Sequence, residues 1–168
     1  MKSIFFASCT LLVFASCAKQ YVAPSGVPTA TITLSASLEQ HYGSWVLVQN
    51  FDNESCASSP NGNRLASFST KSIQGEGDFK GGVAKSIPAN RPLVFSFIYQ
   101  EGAAGFTNYT SCVVTQSFVP KPGAMYSAAF EIVADKCLVT VSREDGTDPK
   151  AVDSLHIVEP SCNNKLNG

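Results

Sequence analysis

From Thr31 to Val158 the apolar residues recur at every second position in short runs, most of them stopped by glycine, proline or asparagine, and one by Asp135-Lys136. That period places apolar side chains on one face of an extended strand. Ile32, Leu34 and Ala36 share such a face, Trp45-Val46-Leu47-Val48 forms a compact apolar strand, and Leu65 with Phe68 marks a weaker one. Val83-Ala84-Lys85-Ser86-Ile87 leads into a turn with prolines at both ends. The clearest alternation comes next. Leu93, Phe95, Phe97 and Tyr99 alternate with Val94, Ser96 and Ile98, and Cys112, Val114, Gln116 and Phe118 alternate with Val113, Thr115 and Ser117. Tyr126, Ala128, Phe130 and Ile132 follow, then Cys137-Leu138-Val139-Thr140-Val141, with a last strand at 155–158. No window has the period of an amphipathic helix, and only 148–154 offers one short helical turn. Pro88, Pro92, Pro120 and Pro122 fall between strands, where no ladder donor is lost. About nine short strands separated by turn chemistry predict an all-β chain, an antiparallel β-sandwich, with a closed barrel as the alternative.

A chain of 168 residues accommodates one compact domain, expected over residues 29–168. Hydrophobic residues make up 44%, enough to build a core and to argue against disorder. The formal charge of -1 carries no electrostatic footprint for a nucleic-acid partner.

The first residues read as a targeting signal. Met1 and Lys2 give a positive start, and an apolar stretch follows to Ala15, the length of a signal-peptide core and too short to span a bilayer. The stretch Phe14-Ala15-Ser16-Cys17 resembles a bacterial lipobox. That resemblance implies removal of residues 1–16 and lipidation of Cys17, including palmitate. Ala18 stands where enteric lipoproteins retained in the inner membrane carry Asp, which implies passage to the outer membrane. The competing reading is plain signal cleavage after Ala18, since Ser16-Cys17-Ala18 also meets a small-x-small rule. Residues 17–28 then form the lipidated cysteine and a tether; Ala23-Pro24-Ser25-Gly26-Val27-Pro28 has no period and is expected to be extended and mobile.

Of 6 cysteines, Cys9 leaves with the signal and Cys17 takes lipid, so Cys56, Cys112, Cys137 and Cys162 remain. An even remainder in an exported chain predicts two disulfides. Three pairings exist. Cys112 and Cys137 start two late strands, while Cys56 lies in a loop and Cys162 in the tail, which favours Cys112–Cys137 with Cys56–Cys162. No two cysteines have zinc-site or redox C-x-x-C spacing.

Ile87-Pro-Ala-Asn-Arg-Pro-Leu93, Cys112, Phe118-Val-Pro-Lys-Pro-Gly-Ala-Met-Tyr126 and Cys137-Leu-Val-Thr-Val141 together resemble small Ig-like or transthyretin-like β-sandwich lipoproteins of Gram-negative bacteria. The resemblance covers about a third of the chain and implies a disulfide-stabilised fold, not a chemistry.

Catalytic patterns are missing. His41 and His156 lack any H-E-x-x-H context, and the chain has no P-loop and no G-x-S-x-G. The start of a dinucleotide fingerprint at Gly75 fails at Lys80. The acidic segment 144–148 lacks EF-hand spacing and reads as a solvated hairpin loop. A scattered acid pair such as Asp78 with Glu101 has no supporting spacing. We therefore expect no enzyme, metal or cofactor, and an envelope lipoprotein at the outer membrane with a binding or structural role. Its partners would be the membrane, through Cys17, and an envelope protein or glycan. Tyr42, Trp45, Phe106 and Tyr109 flank two loops and would form the ligand surface, unless they cap the core. The alternative function is a soluble periplasmic or secreted binding module.

Overall fold

The computed structural model describes residues 19–38, 43–56, 62–70, 82–101, 110–145, 148–159 and Cys162. Ten strands occur among them: β1 (Thr29–Ala36), β2 (Ser44–Phe51), β3 (Asn63–Ser69), β4 (Val83–Pro88), β5 (Leu93–Glu101), β6 (Thr110–Phe118), β7 (Met125–Val133), β8 (Lys136–Asp145), β9 (Asp148–Ala151) and β10 (His156–Ile157). They form two five-stranded sheets in the orders β4-β1-β7-β8-β9 and β10-β6-β5-β2-β3. The chain is an all-β sandwich stabilised by two disulfides. All pairs are antiparallel except β1 with β7, which run parallel from Thr31 opposite Met125 to Ala36 opposite Phe130.

The alternation read from sequence becomes the core. Ile32, Leu34, Phe95, Phe97, Tyr99, Phe118, Tyr126, Ala128 and Phe130 are all buried in one cluster between the sheets. Phe97 and Tyr99 stack on Phe130 across the gap at centroid distances of 6.0 and 5.7 Å. Gln116 also reaches across, its Nε2 donating to the Val139 carbonyl at 3.1 Å. Cys112 in β6 and Cys137 in β8 join the two sheets covalently, with Cα atoms 6.5 Å apart. This is the expected pairing, and its geometry is an inter-sheet bridge.

The outer face of β5 is also covered. Val94, Ser96 and Ile98 are buried although they point away from the main core. Val94 packs with Phe51, Val158 and the Cys56–Cys162 disulfide in a second, smaller cluster. That disulfide, with Cα atoms 5.3 Å apart, clips the tail onto the outside of the sheet. The Ser96 and Thr115 hydroxyls satisfy one another at 2.7 Å under this cover, as buried polar groups must.

Two local features follow from turn physics. Tyr126, buried in the core, accepts a hydrogen bond from the Lys121 N–H at 2.9 Å and so ties the Pro120-Lys121-Pro122-Gly123 turn to its own strand. Ala134 and Asp135 join β7 to β8 with φ of 48° and 62°, the paired positive values of a two-residue hairpin whose twist matches its strands. The segment 148–154, read from sequence as the place for a helical turn, starts instead with strand β9, because Asp145 pairs with Asp148 and the chain folds straight back along β8. Of the segment read as a tether, residues 19–28 are described. The Arg64 N–H donates to the Lys19 carbonyl at 2.7 Å, and the Tyr21 N–H donates to the Arg64 carbonyl at 2.9 Å. Gln20 thus lies beside the β3 edge as a parallel bridge, and Tyr21 packs against the main core.

Two stability predictions follow from these features. Replacing Cys112 and Cys137 together by Ala opens a loop with a sequence separation of 25, and should cost about 3.5 kcal/mol by loop entropy, read as a lower midpoint in denaturant unfolding. Ala134→Gly relieves a left-handed alanine and should raise stability by about 0.5–1 kcal/mol, measured the same way.

Candidate functional site

One end of the sandwich carries a cleft of about 790 Å³. It lies where β2 leaves its sheet and where β4 crosses to β5, so residues about forty positions apart in the chain line it. On one side, a register shift between Val48 and Gln49 sets β3 one residue ahead of β2. Gln49, Asn50 and Phe51 are all buried, where simple alternation would expose one in two, and Phe51 is covered on the outer face by Val94, Val158 and the Cys56–Cys162 disulfide. Gly62 lets the returning chain pass close by: its φ is +55°, and a Cβ there would lie 3.0 Å from the Asn50 carbonyl oxygen. On the other side, Asn90 takes a φ of 61° in the turn before β5. The Ala89 and Asn90 N–H groups are fastened to the Pro28 and Pro120 carbonyls at 2.8 Å each. The loop after Phe51 is held by the Cys56–Cys162 disulfide and by Ser55 Oγ donating to Asn53 Oδ1 at 2.6 Å.

The lining mixes Phe51, Pro88, Pro92 and Leu93 with Asn50, Asp52, Glu54 and Arg91. The amide of Asn50 is nine-tenths buried, and its Oδ1 accepts no hydrogen bond. Arg91 is exposed at the rim, and its charge is felt by the Tyr21 phenol, whose pKa burial pushes up and Arg91 pulls partly back. Carboxylates, amides, one guanidinium and an aromatic ring around a half-apolar hollow suit a polar ligand held by several hydrogen bonds. No nucleophile is paired with a base in this lining, and among the described residues no three metal-ligating side chains gather.

Beside the cleft, His156 Nε2 meets Glu54 Oε1 at 2.9 Å. His156 opposes Ser117 across the β10–β6 pair. The Ser117 hydroxyl and the His156 ring hold the Glu54 carboxyl below its ordinary 4.5. In turn the Ser154 carbonyl and then Glu54 hold the His156 proton on above its ordinary 6.5. The pair links the loop at Glu54 to the strand that precedes Cys162.

Of the aromatics singled out from sequence, Trp45 is the one among the described residues. Trp45 sits on β2 opposite Ser69 and Gln100, half-buried. Tyr42, Phe106 and Tyr109 lie outside the described residues, as do His41 and Asp78. Glu101 accepts a hydrogen bond from the Tyr99 hydroxyl at 2.6 Å, which together with burial raises the Tyr99 pKa. Ser44, Glu101 and Thr110 pair at one end of their sheet, whereas Phe51, Leu93 and Phe118 mark the cleft end. Trp45 therefore lies near the end opposite the cleft. In the sequence, residues 50–53 and 88–92 read only as strand end and turn. The one signal available was the clustering of Asn, Asp and Arg within them.

The Glu54–His156 contact predicts a definite pH behaviour. The Glu54 contribution to holding the loop is complete above its unfolded value of about 4.5 and is lost as pH falls through the lowered folded value. The His156 contribution is complete below about 6.5 and is lost as pH rises through the raised folded value. An NMR titration should give a His156 midpoint above 6.5, and Glu54→Gln should move it down. A midpoint indifferent to Glu54→Gln would show that the contact does not form in solution.

Compared with known proteins, the chain matches no family, no curated protein and no solved structure.

Proposed function

We propose that the chain is a lipid-anchored envelope protein, held at the outer membrane through Cys17, whose β-sandwich serves a non-enzymatic binding or structural role. The observation that carries this reading is the Phe14-Ala15-Ser16-Cys17 sequence at the end of a short apolar run. The cysteine pairing supports it. The four body cysteines bond to each other, so neither disulfide draws on Cys17. Stable disulfides of this kind belong to oxidising compartments, which a signal-bearing chain reaches. Ala18, immediately after the cysteine, directs the anchored form outward under the enteric sorting rule. The polar cleft gives the domain a place for a glycan or headgroup of the envelope surface, with hydrogen bonds rather than chemistry as its means of engagement.

Anchoring has a physical basis. Each buried methylene contributes about 0.8 kcal/mol, and one chain alone holds only marginally, so several acyl chains on a single cysteine give lasting attachment.

Growth with labelled palmitate should mark the wild type and leave Cys17→Ala unmarked. Equal marking of the two, or none in either, would overturn the anchor. A mature N-terminus beginning at Lys19 would establish the soluble, cleaved form in its place.

A further inference from the structure

We infer that the anchored domain has no free spacer and rests its cleft-bearing end, with the adjoining β3–β4 flank, directly on the lipid headgroups of the leaflet that holds Cys17. This rests on the lipid anchor proposed above. The argument is one of reach. Cys17 precedes Lys19 by two residues, at most about 7 Å of extended chain. Lys19 is already fastened, because its carbonyl accepts the Arg64 N–H at 2.7 Å. The next bond, from the Tyr21 N–H to the Arg64 carbonyl, and the packing of Tyr21 on the core keep that contact in place. Residues 22–28 come after this clamp, so their length adds nothing to the distance between membrane and domain.

The direction of the clamp selects the face. Gln20 runs parallel to β3 at Arg64, so Lys19 stands on the side of Gln20 nearer the Asn63 start of that strand. That start lies beside Asn50 and the cleft. A headgroup layer is about 5–8 Å deep on each side of the hydrocarbon, which is the same length as the available reach. The flank beside the clamp also suits an anionic surface. Gln20, Arg64 and Lys85 line one hollow between the β3 and β4 edges, and neither strand contains a carboxylate. Asp52 and Glu54 stand on the cleft itself, with Arg91.

The test uses the lipidated protein in nanodiscs of phosphatidylethanolamine and phosphatidylglycerol, doped with a lipid carrying a nitroxide on its headgroup. Asp52 and Asn90 lie at the cleft end and Ala134 and Asp135 at the other, separated by the length of β7, roughly 27 Å. That separation predicts paramagnetic relaxation at least about fivefold greater at the Asp52 and Asn90 amides. A Gly-Ser insertion of about ten residues between Ala18 and Lys19, roughly 17 Å of added reach, should bring the ratio close to one while palmitate incorporation stays unchanged. Arg64→Pro should do the same, since it deletes the N–H that holds Lys19 at an outward-facing edge position where proline is tolerated. Equal relaxation at the two ends of the palmitate-labelled wild type, or greater relaxation at Ala134 and Asp135, would overturn the orientation and leave the anchor standing. A ratio that survives both variants would overturn the clamp as its cause. Absence of palmitate on the wild type would overturn the anchor and the orientation together.

Discussion

Phe97 and Tyr99 of one sheet lie nearly flat on Phe130 of the other, with interplanar angles of 12° and 25°. Phe118 meets Tyr126 across the same gap at 4.9 Å. Contact between the sheets is therefore made largely ring to ring, and rigid rings fix a separation more closely than flexible aliphatic chains do. The Cys112–Cys137 bond repeats that constraint covalently near the end where β7 turns into β8. With spacing and register set in this way, the opposite end can carry irregular backbone. The bulge at Leu65 opposite Gln49, the left-handed Cys56 and Asn90, and the buried amide of Asn50 all lie there.

The strands were legible because each one buries a face. Ile32 to Ala36 and Tyr126 to Ile132 alternate in sequence and alternate in burial, and Leu93, Phe95, Phe97 and Tyr99 put their alternate side chains into the same core. The pairing of the cysteines was legible because Cys112 and Cys137 open two late strands, which leaves the loop Cys56 to the tail Cys162. What was not legible depends on contacts between distant segments. The outward residues of β5 alternate correctly and yet are buried, because Phe51, Val158 and a disulfide cover them from outside. Strand β9 has the sequence Asp-Pro-Lys-Ala and is exposed throughout, so no apolar period announced it. Its pairing comes from the hairpin alone.

The cleft shows the same limit. Asn50 lies near the end of β2 and Arg91 in the turn before β5, and only the crossover from β4 to β5 brings them to one hollow. The N-terminal segment is another instance. Its composition describes a linker, but composition has no term for the open edge of β3, whose outward N–H and C=O groups at Arg64 take up Lys19 and Tyr21. An exposed strand edge is a template for any extended chain within reach, and the nearest such chain is the protein's own.

That edge contact has a mechanical meaning. Any pull on the N-terminal end enters the domain at Lys19, and the two bonds to Arg64 bear it first, one after the other. Beyond them the load passes through residues 22–28 to β1, which lies inside its sheet between β4 and β7. The ladders on both sides of β1 run across the direction of pull, so they share the force and must yield together. The domain thus has a weak link ahead of a strong one: the clamp can open and close under drag, lengthening the connection by the slack of residues 22–28, while the sandwich keeps its shape.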